Sequence, residues 1–576
     1  MTITVWFSVM ALLPILVVLA TMVGWGWSGA KAGAAGWAVA MLLALTLFRA
    51  SPELLFYAHL RSLLLSLYVL YIIWMALPLY HVVNEAGAIK DISAGVACLT
   101  RDKLVQLLIL GWIFASFLQG ITGFGVPVAV VTPLLIGLGF DPLMSVVATG
   151  IAHSWAVTFG SAGSSFYTLM AVTGLPGEQL QSESALLLGI MALLCGVCIT
   201  HLYAGGRGVT RGLPFVVGAG VAMAATQYLL AISGFWAIAS FGAGLVGLVV
   251  AVPLARLPFY RQSDAHRESH KQPSSLSSTM PHSPLAPESS SGRAGVCLRQ
   301  ASALSDAGVP LTTQKMTKVN LEESHTDRAG GPRLRERLPL SLLGYGLLLV
   351  IVLAAGAIPP LKELLNGVQL NYTFPSVTTG LGWTVKGGSG RSVSLFGHAG
   401  ALIGYAALIS FFIYRAAGRY PPSTGSRIIQ MTLKRVRKST LSILSLVAMA
   451  LVMDNSGQVF AIADGLRHIL PTAFYPLAAP FIGTVGAFMT GSNTNSNVIF
   501  APLQQQVAEL LALSVPAILA SQTTGGALGS MIAPAKIIVG ASTANIEGRE
   551  GDVLRMTWPY ALLLLLATGG LTYLLL

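Results

Sequence analysis

The chain has 576 residues, of which 54% are hydrophobic and 10% charged, with a mean hydropathy of +0.72 and a formal net charge of +12. Soluble domains carry about 25% charged residues, so this composition excludes a soluble globular protein and points to an integral membrane protein. The charge does not call for a nucleic-acid partner: residues 415–438 hold seven basic side chains and no acid, residues 261–337 hold 11 basic against 8 acidic ones, and basic segments flanking membrane helices mark the cytoplasmic side.

Apolar runs of about 20 residues, enough to cross a bilayer, recur along the chain, and no alternating pattern suggests a barrel. The first, 5–23, lacks the basic flank of a secretory signal and reads as a retained membrane helix. Further spans are expected at 34–48, 61–80, 104–117, 126–138, 143–172, 185–203, 213–232 and 235–257. Cys195 and Cys198 form a C-x-x-C inside an apolar run and read as packed helix residues rather than a redox or metal site; Cys98 and Cys297 add no disulfide framework.

Residues 261–337, rich in Ser, Pro and charge, read as a disordered cytoplasmic linker between an N-terminal membrane half (1–260) and a C-terminal one (338–576). Spans in the second half are expected at 338–358, 397–414, 439–460, 473–489, 498–513, 515–539 and 558–576. With both basic segments cytoplasmic, residues 359–394 must be external.

Four of these apolar segments are interrupted by small polar residues. The strongest case is FMTGSNTNSNVIF, 488–500, matched upstream by GITGFGVP, 120–127. Each is followed by a second polar interruption, AHSWAVTFGSAGSS at 152–165 and ASQTTGGALGS at 520–530. Hydrocarbon offers no hydrogen-bond partner, so unwound backbone and polar side chains persist at membrane depth only against protein, water or ligand. Interrupted segments at corresponding places in two halves are the sequence mark of a transporter site at the bilayer midplane. The fold expected is an all-α polytopic membrane protein of about 12–14 transmembrane helices or half-helices, in two repeats with paired re-entrant or broken-helix hairpins near 117–165 and 488–534.

At FLQGITGFGVPVA (117–129), HSWAVTFG (153–160), TGSNTNSNVIF (490–500) and QTTGGALGSMIAP (522–534) the chain resembles the lactate permease family of L-lactate and glycolate transporters, within a broader ion-transporter superfamily. The resemblance implies a multi-pass protein of the cytoplasmic membrane that is not an enzyme and holds no metal or cofactor. Its implied partners are a small carboxylate and the lipid bilayer, with the oligomeric state open and a homodimer among the options. Departures accompany the match. Gln119 stands where the family has Glu, Asn493 where it has Asp, His153-Ser154 where it has Asn-Thr, Gln522 where it has Asn and Ser530 where it has Lys. Two acids and one base are therefore missing from the expected site.

A small 2-hydroxycarboxylate is an anion at pH 7, and a negative-inside membrane opposes its entry by about 2.3 kcal/mol per 100 mV. Import by symport with H+ is expected, with Na+ the alternative cation. Donors for the carboxylate are expected from half-helix N-termini following Gly123, Gly491 and Gly526, with side-chain donors and acceptors from Thr122, Ser492, Asn493, Thr494, Gln522, Thr523 and Thr524. Gln119, His153, Ser154 and Thr490 are further substrate- or ion-binding candidates, His153 either titrating or neutral and hydrogen-bonded. Gly125 and Gly525 belong to the same turns, Phe124 shapes the pocket or packs, and Ser496 and Asn497 either touch the ligand or cap a half-helix. Asp454, alone in its apolar span, is the proton-coupling candidate, or else a helix-end residue. The competing readings are a sodium-coupled carrier of another organic or inorganic anion and, from another class, a membrane enzyme or sensor. No nucleotide loop or catalytic triad pattern supports the latter.

Overall fold

The computed structural model describes residues 5–97, 99–100, 102–123, 125–261, 334–390 and 392–576. Eleven of its helices are long and apolar enough to cross a membrane, and Trp6–Met22 and Val126–Gly137 are shorter apolar ones. This is the all-α polytopic architecture expected.

In chain order the first helices are α1 (Val5–Ala11), α2 (Leu13–Val23), α3 (Gly29–Thr46), α4 (Pro52–Glu85) and α5 (Ala88–Ala97). The hairpin α6 (Lys103–Ile121) and α7 (Val126–Gly137) follows, then α8 (Pro142–Ser154), α9 (Gly160–Thr173), α10 (Gly177–Ile232) and α11 (Ala239–Ala255). At 56 residues, α10 would measure about 84 Å against a hydrocarbon core of about 30 Å. It is two crossings merged across Gly205, whose φ of 59° and ψ of −147° suit only glycine. Gly189 lies against Ala224, Gly196 against Val216 and Gly212 against Thr200, a seam of small residues that lets the two crossings pack closely.

The expected linker falls mostly outside the described residues, and its described ends, Arg261 and 334–337, are helical. Beyond it come α12 (Leu334–Ala357), an external β-ribbon, α13 (Ala399–Ala416) and α14 (Thr424–Asn455). The ribbon pairs Gln369 with Ser394, Thr373 with Ser389 and Val377 with Val385. The helix α14 starts well before the expected residue 439, because the basic stretch is itself helical with its charges exposed. It ends at Gly457 in the left-handed region (φ 86°), after which α15 (Gln458–Ile469) is separate. The last elements are the hairpin α16 (Tyr475–Thr490) and α17 (Asn493–Leu510), then α18 (Val515–Gly529), α19 (Pro534–Thr543) and α20 (Glu550–Leu574).

Ion pairs gather on the face that carries the basic stretch. Arg427 binds Glu85, Arg419 binds Asp91 at 2.9 Å, and Arg211 binds Asp102 at the base of the first hairpin. The positive-inside rule makes this face cytoplasmic. On the opposite face Arg61 donates to Lys386 O at 3.2 Å and lies 4.6 Å over the Phe374 ring of the ribbon. The first hairpin therefore enters from the cytoplasm and the second from outside, an inverted pair. Each is followed by a broken helix, and the breaks cross over: α9 packs on α17, and α19 packs on α7. The site elements of each half are thus completed by the other half.

Candidate functional site

At the second hairpin the backbone leaves the helix only at Gly491 (φ 69°) and Ser492. The polar run expected to be unwound is instead the opening of α17, because Ser492 caps it by accepting from Asn495 N at 3.4 Å. Ser496 and Asn497 are not caps. Ser496 Oγ donates to Gly483 O at 2.6 Å and accepts from Gln522 Nε2 at 3.1 Å, while Asn497 faces the other half.

Asn493 and Asn497, one helical turn apart, meet both broken helices. Asn493 Nδ2 lies 3.1 Å from Thr158 Oγ1 and 3.3 Å from Thr523 Oγ1; Asn497 Nδ2 donates to Ser165 O at 3.1 Å and to Thr523 Oγ1 at 3.0 Å. Thr158 Oγ1 donates to Thr523 O at 3.2 Å, and Ser165 Oγ pairs with Thr494 Oγ1 at 3.0 Å. Behind this cluster Gln504 Nε2 donates to Gln522 Oε1 at 3.1 Å and Tyr475 OH to Gln504 Oε1 at 2.5 Å. All these side chains are buried. The amide N–H groups are spent within the cluster, while Asn493 Oδ1 and Asn497 Oδ1 have no partner among the described residues; neither does Thr524 Oγ1. Buried polar atoms left open are costly and rare; the two asparagines offer acceptors, and the Thr524 hydroxyl can donate or accept.

Gly525 and Gly526 were expected at a half-helix N-terminus, but both lie inside α18. They are there for close approach: a Cβ on Gly525 would sit 2.0 Å from Pro480 O, and one on Gly526 2.1 Å from Asn493 Oδ1. The break comes later, at 530–533, where Pro534 starts α19.

The first hairpin turns through Thr122, Gly123 (φ 55°) and Gly125 (φ 80°); Phe124 lies outside the described residues. Thr122 is not an available donor, because its hydroxyl donates to Leu118 O at 2.8 Å, as Thr490 does to Gly486 O at 2.8 Å. A Cβ on Gly123 would overlap Ser161 Oγ at 1.6 Å, so the tip rests on the break between α8 and α9. In that break Ser161 and Ala162 join Gly163 in the left-handed region (φ 48°, 54° and 74°), a strain of about 1–3 kcal/mol for each non-glycine residue. Gln119 packs against Gly160, and its Oε1 has no partner among the described residues. Ser154 turns away, donating to Ile151 O at 2.7 Å beside Cys195.

His153, fully buried, places Nδ1 2.7 Å from Thr149 O and Nε2 3.3 Å from Lys536 Nζ on α19. Lys536 is a base that the sequence reading passed over, although it is the lone charge in Val515–Thr543, the same signal that singled out Asp454. Thr158 and Ser165 were also missed individually, inside a segment that was recognised. Asp454 is not brought to the cluster. Its Oδ1 accepts from Gln506 Nε2 at 3.2 Å, and Gln506 lies about 20 Å along α17 from Asn493, toward the external face.

Comparison with known proteins fits this architecture. The L-lactate permease family matches residues 8–286 and 336–576. The L-lactate permease of Escherichia coli K12 is 27% identical over 94% of this chain and 90% of its own, and that of Bacillus subtilis 26% identical over 95% and 92%. The glycolate permease GlcA of Escherichia coli K12 is 25% identical over 98% and 95%. Among solved structures the YdaH transporter of Alcanivorax borkumensis aligns with a TM-score of 0.40 at 15% identity over 88% of this chain and 84% of its own, a likeness from which no shared detail follows. With two interlocked hairpins and a match over nearly its whole length, the chain belongs to the L-lactate permease family.

Proposed function

We propose that this protein imports small 2-hydroxymonocarboxylates, lactate or glycolate, across the cytoplasmic membrane by symport with a proton. The observation that carries the reading is the junction of α17 with both broken helices at Asn493, Asn497, Thr158 and Thr523, buried midway through the protein. Side chains from both halves close on one another there, so the halves can separate on either side of the junction in turn, as alternating access requires. On the outer face a cavity of about 510 Å³ lies between α9 and the ribbon, lined by Tyr167, Ala171, Asn366 and His398. It supports entry from outside, since Tyr167 is only two residues from Ser165.

The test is uptake of labelled L-lactate and glycolate into proteoliposomes holding the purified protein, under an imposed proton gradient. Accumulation that collapses with the gradient is expected. No uptake of either anion under a proton or a sodium gradient would sink the reading. One observation favours a second reading, sodium coupling: Asn493 and Asn497 spend their Nδ2 groups on Thr158, Thr523 and Ser165 and keep their Oδ1 atoms open, and neutral oxygens suit Na+. Accumulation that follows a sodium gradient and ignores pH would select it.

A further inference from the structure

A carboxylate needs donors, and the Asn493 and Asn497 amides have spent theirs, leaving the neutral Thr524 hydroxyl to donate. The donor-rich place in the membrane interior is at Lys536. This residue stands in the first turn of α19, is 9% exposed, and is the lone charge of a 29-residue apolar segment. Its neighbour His153 is oriented by Thr149. A carbonyl oxygen only accepts, so His153 Nδ1 carries the hydrogen and donates to Thr149 O, and in the neutral ring Nε2 turns its lone pair to Lys536 Nζ. Among the described residues no Asp or Glu forms an ion pair with Lys536.

The elements packed against α19 supply no counter-charge at this depth. The helices α7 and α18 contain no titratable side chain, and α8 contributes His153 alone. The helix α20 brings Glu550, Asp552 and Arg555 only at its cytoplasmic start, where Asp552 is held by Arg549 at 2.8 Å. Two further features favour an anion. The positive end of α19 points to the break, and Ser530 Oγ in that break is buried with no partner among the described residues.

On the transport reading above, we propose that Lys536, held in place by His153, binds the carboxylate of the transported anion and carries the co-transported proton. In the empty carrier the Lys536 amine shares a hydrogen with neutral His153. A proton entering from outside forms the fourth bond on Nζ, and the anion pairs with the resulting ammonium. On release inside, that N–H bond breaks and proton and anion leave together. An ammonium alone or a carboxylate alone is costly at this depth, so each admits the other. Empty and loaded carriers then have the same charge, and a base does the coupling that an acid does in cation symport. No protein carboxyl is required.

The experiment compares the full-length protein with Lys536→Gln and Lys536→Arg in proteoliposomes, reading gradient-driven accumulation, proton flux and lactate counterflow. Lys536→Gln should lower all three about 10- to 100-fold, the value of a charged hydrogen bond. Arginine does not release its proton, so Lys536→Arg should keep counterflow while losing gradient-driven accumulation and proton flux. Either variant retaining wild-type proton-coupled accumulation would overturn the assignment. If a variant fails to assemble, the wild-type protein in detergent should take up about one proton per L-lactate bound, and binding with no proton uptake would overturn it equally. A wild-type protein that transports neither anion sinks the transport reading itself. Proton-driven accumulation that is indifferent to residue 536 sinks only this assignment.

Discussion

At the outer hairpin the turn is Gly491-Ser492 and the next helix opens with Asn493, Thr494, Ser496 and Asn497, whereas at the inner hairpin the turn is 122–125 and the next helix opens with Val126, Pro127 and Val128. Both tips use left-handed glycines, both have a threonine returning its hydroxyl to the preceding turn, and the second helix of each hairpin packs on the opposite half. Yet one tip carries its polar groups on the hairpin itself, while the other is apolar past the turn and meets its polar partners on the neighbouring helices. The outer cluster holds the open oxygens of its two asparagines, and the inner region holds the buried Lys536 and its histidine. The backbone device repeats because membrane depth imposes one solution on an interrupted helix. The side chains need not repeat, so two related frames can divide cation-like and anion-like chemistry.

That comparison can be broken hardest at the inner tip. Gly123→Ala places a methyl group on Ser161 and forces a residue with a side chain to φ 55°. It should cost about 3 kcal/mol or more, lowering the melting temperature in detergent and abolishing uptake. A stable, active variant would show that the tip does not rest where the structure puts it. Asn497→Ala tests the outer cluster with a smaller change. It leaves Ser165 O and Thr523 Oγ1 short of a donor, so uptake should fall by about 5- to 150-fold, or 1–3 kcal/mol; counterflow equal to wild type would remove the cluster from the transport path. The smallest effect is expected at Asp454, which neither region contains. Asp454→Asn should shift proton-driven accumulation by less than about 0.5 kcal/mol, and loss of proton coupling in that variant would return the coupling role to the external end of α14.

Much of the architecture was legible because membrane burial writes itself into composition. The apolar runs, the basic flanks and the four interruptions were visible, and even the double crossing of α10 followed from length. Element detail was less so. The run at 490–497 looked unwound because its residues are poor helix formers, yet one cap and neighbours that satisfy each side chain keep it helical. Gly525-Gly526 looked like a break for the same reason, but a glycine pair in a membrane helix serves equally to let another backbone approach, and here Pro480 and Asn493 occupy the space. Lys536 escaped notice because the sequence places it beyond the polar motif, six residues past the Ser530 position where a base was sought.

What the sequence by itself determined is the solvent and the local punctuation. A chain this apolar must satisfy its backbone internally, so it is helical, and its glycine and polar interruptions mark where helices stop. What only the tertiary structure decided is which interruptions face one another. The meeting of Asn493 and Asn497 with Thr158 and Ser165, and of Lys536 with His153, joins residues more than 300 positions apart. Those contacts follow from two inverted hairpins, each packed by the opposite half. Hydropathy and turn chemistry report only what a residue does within its own helix, so that pairing leaves no mark in either.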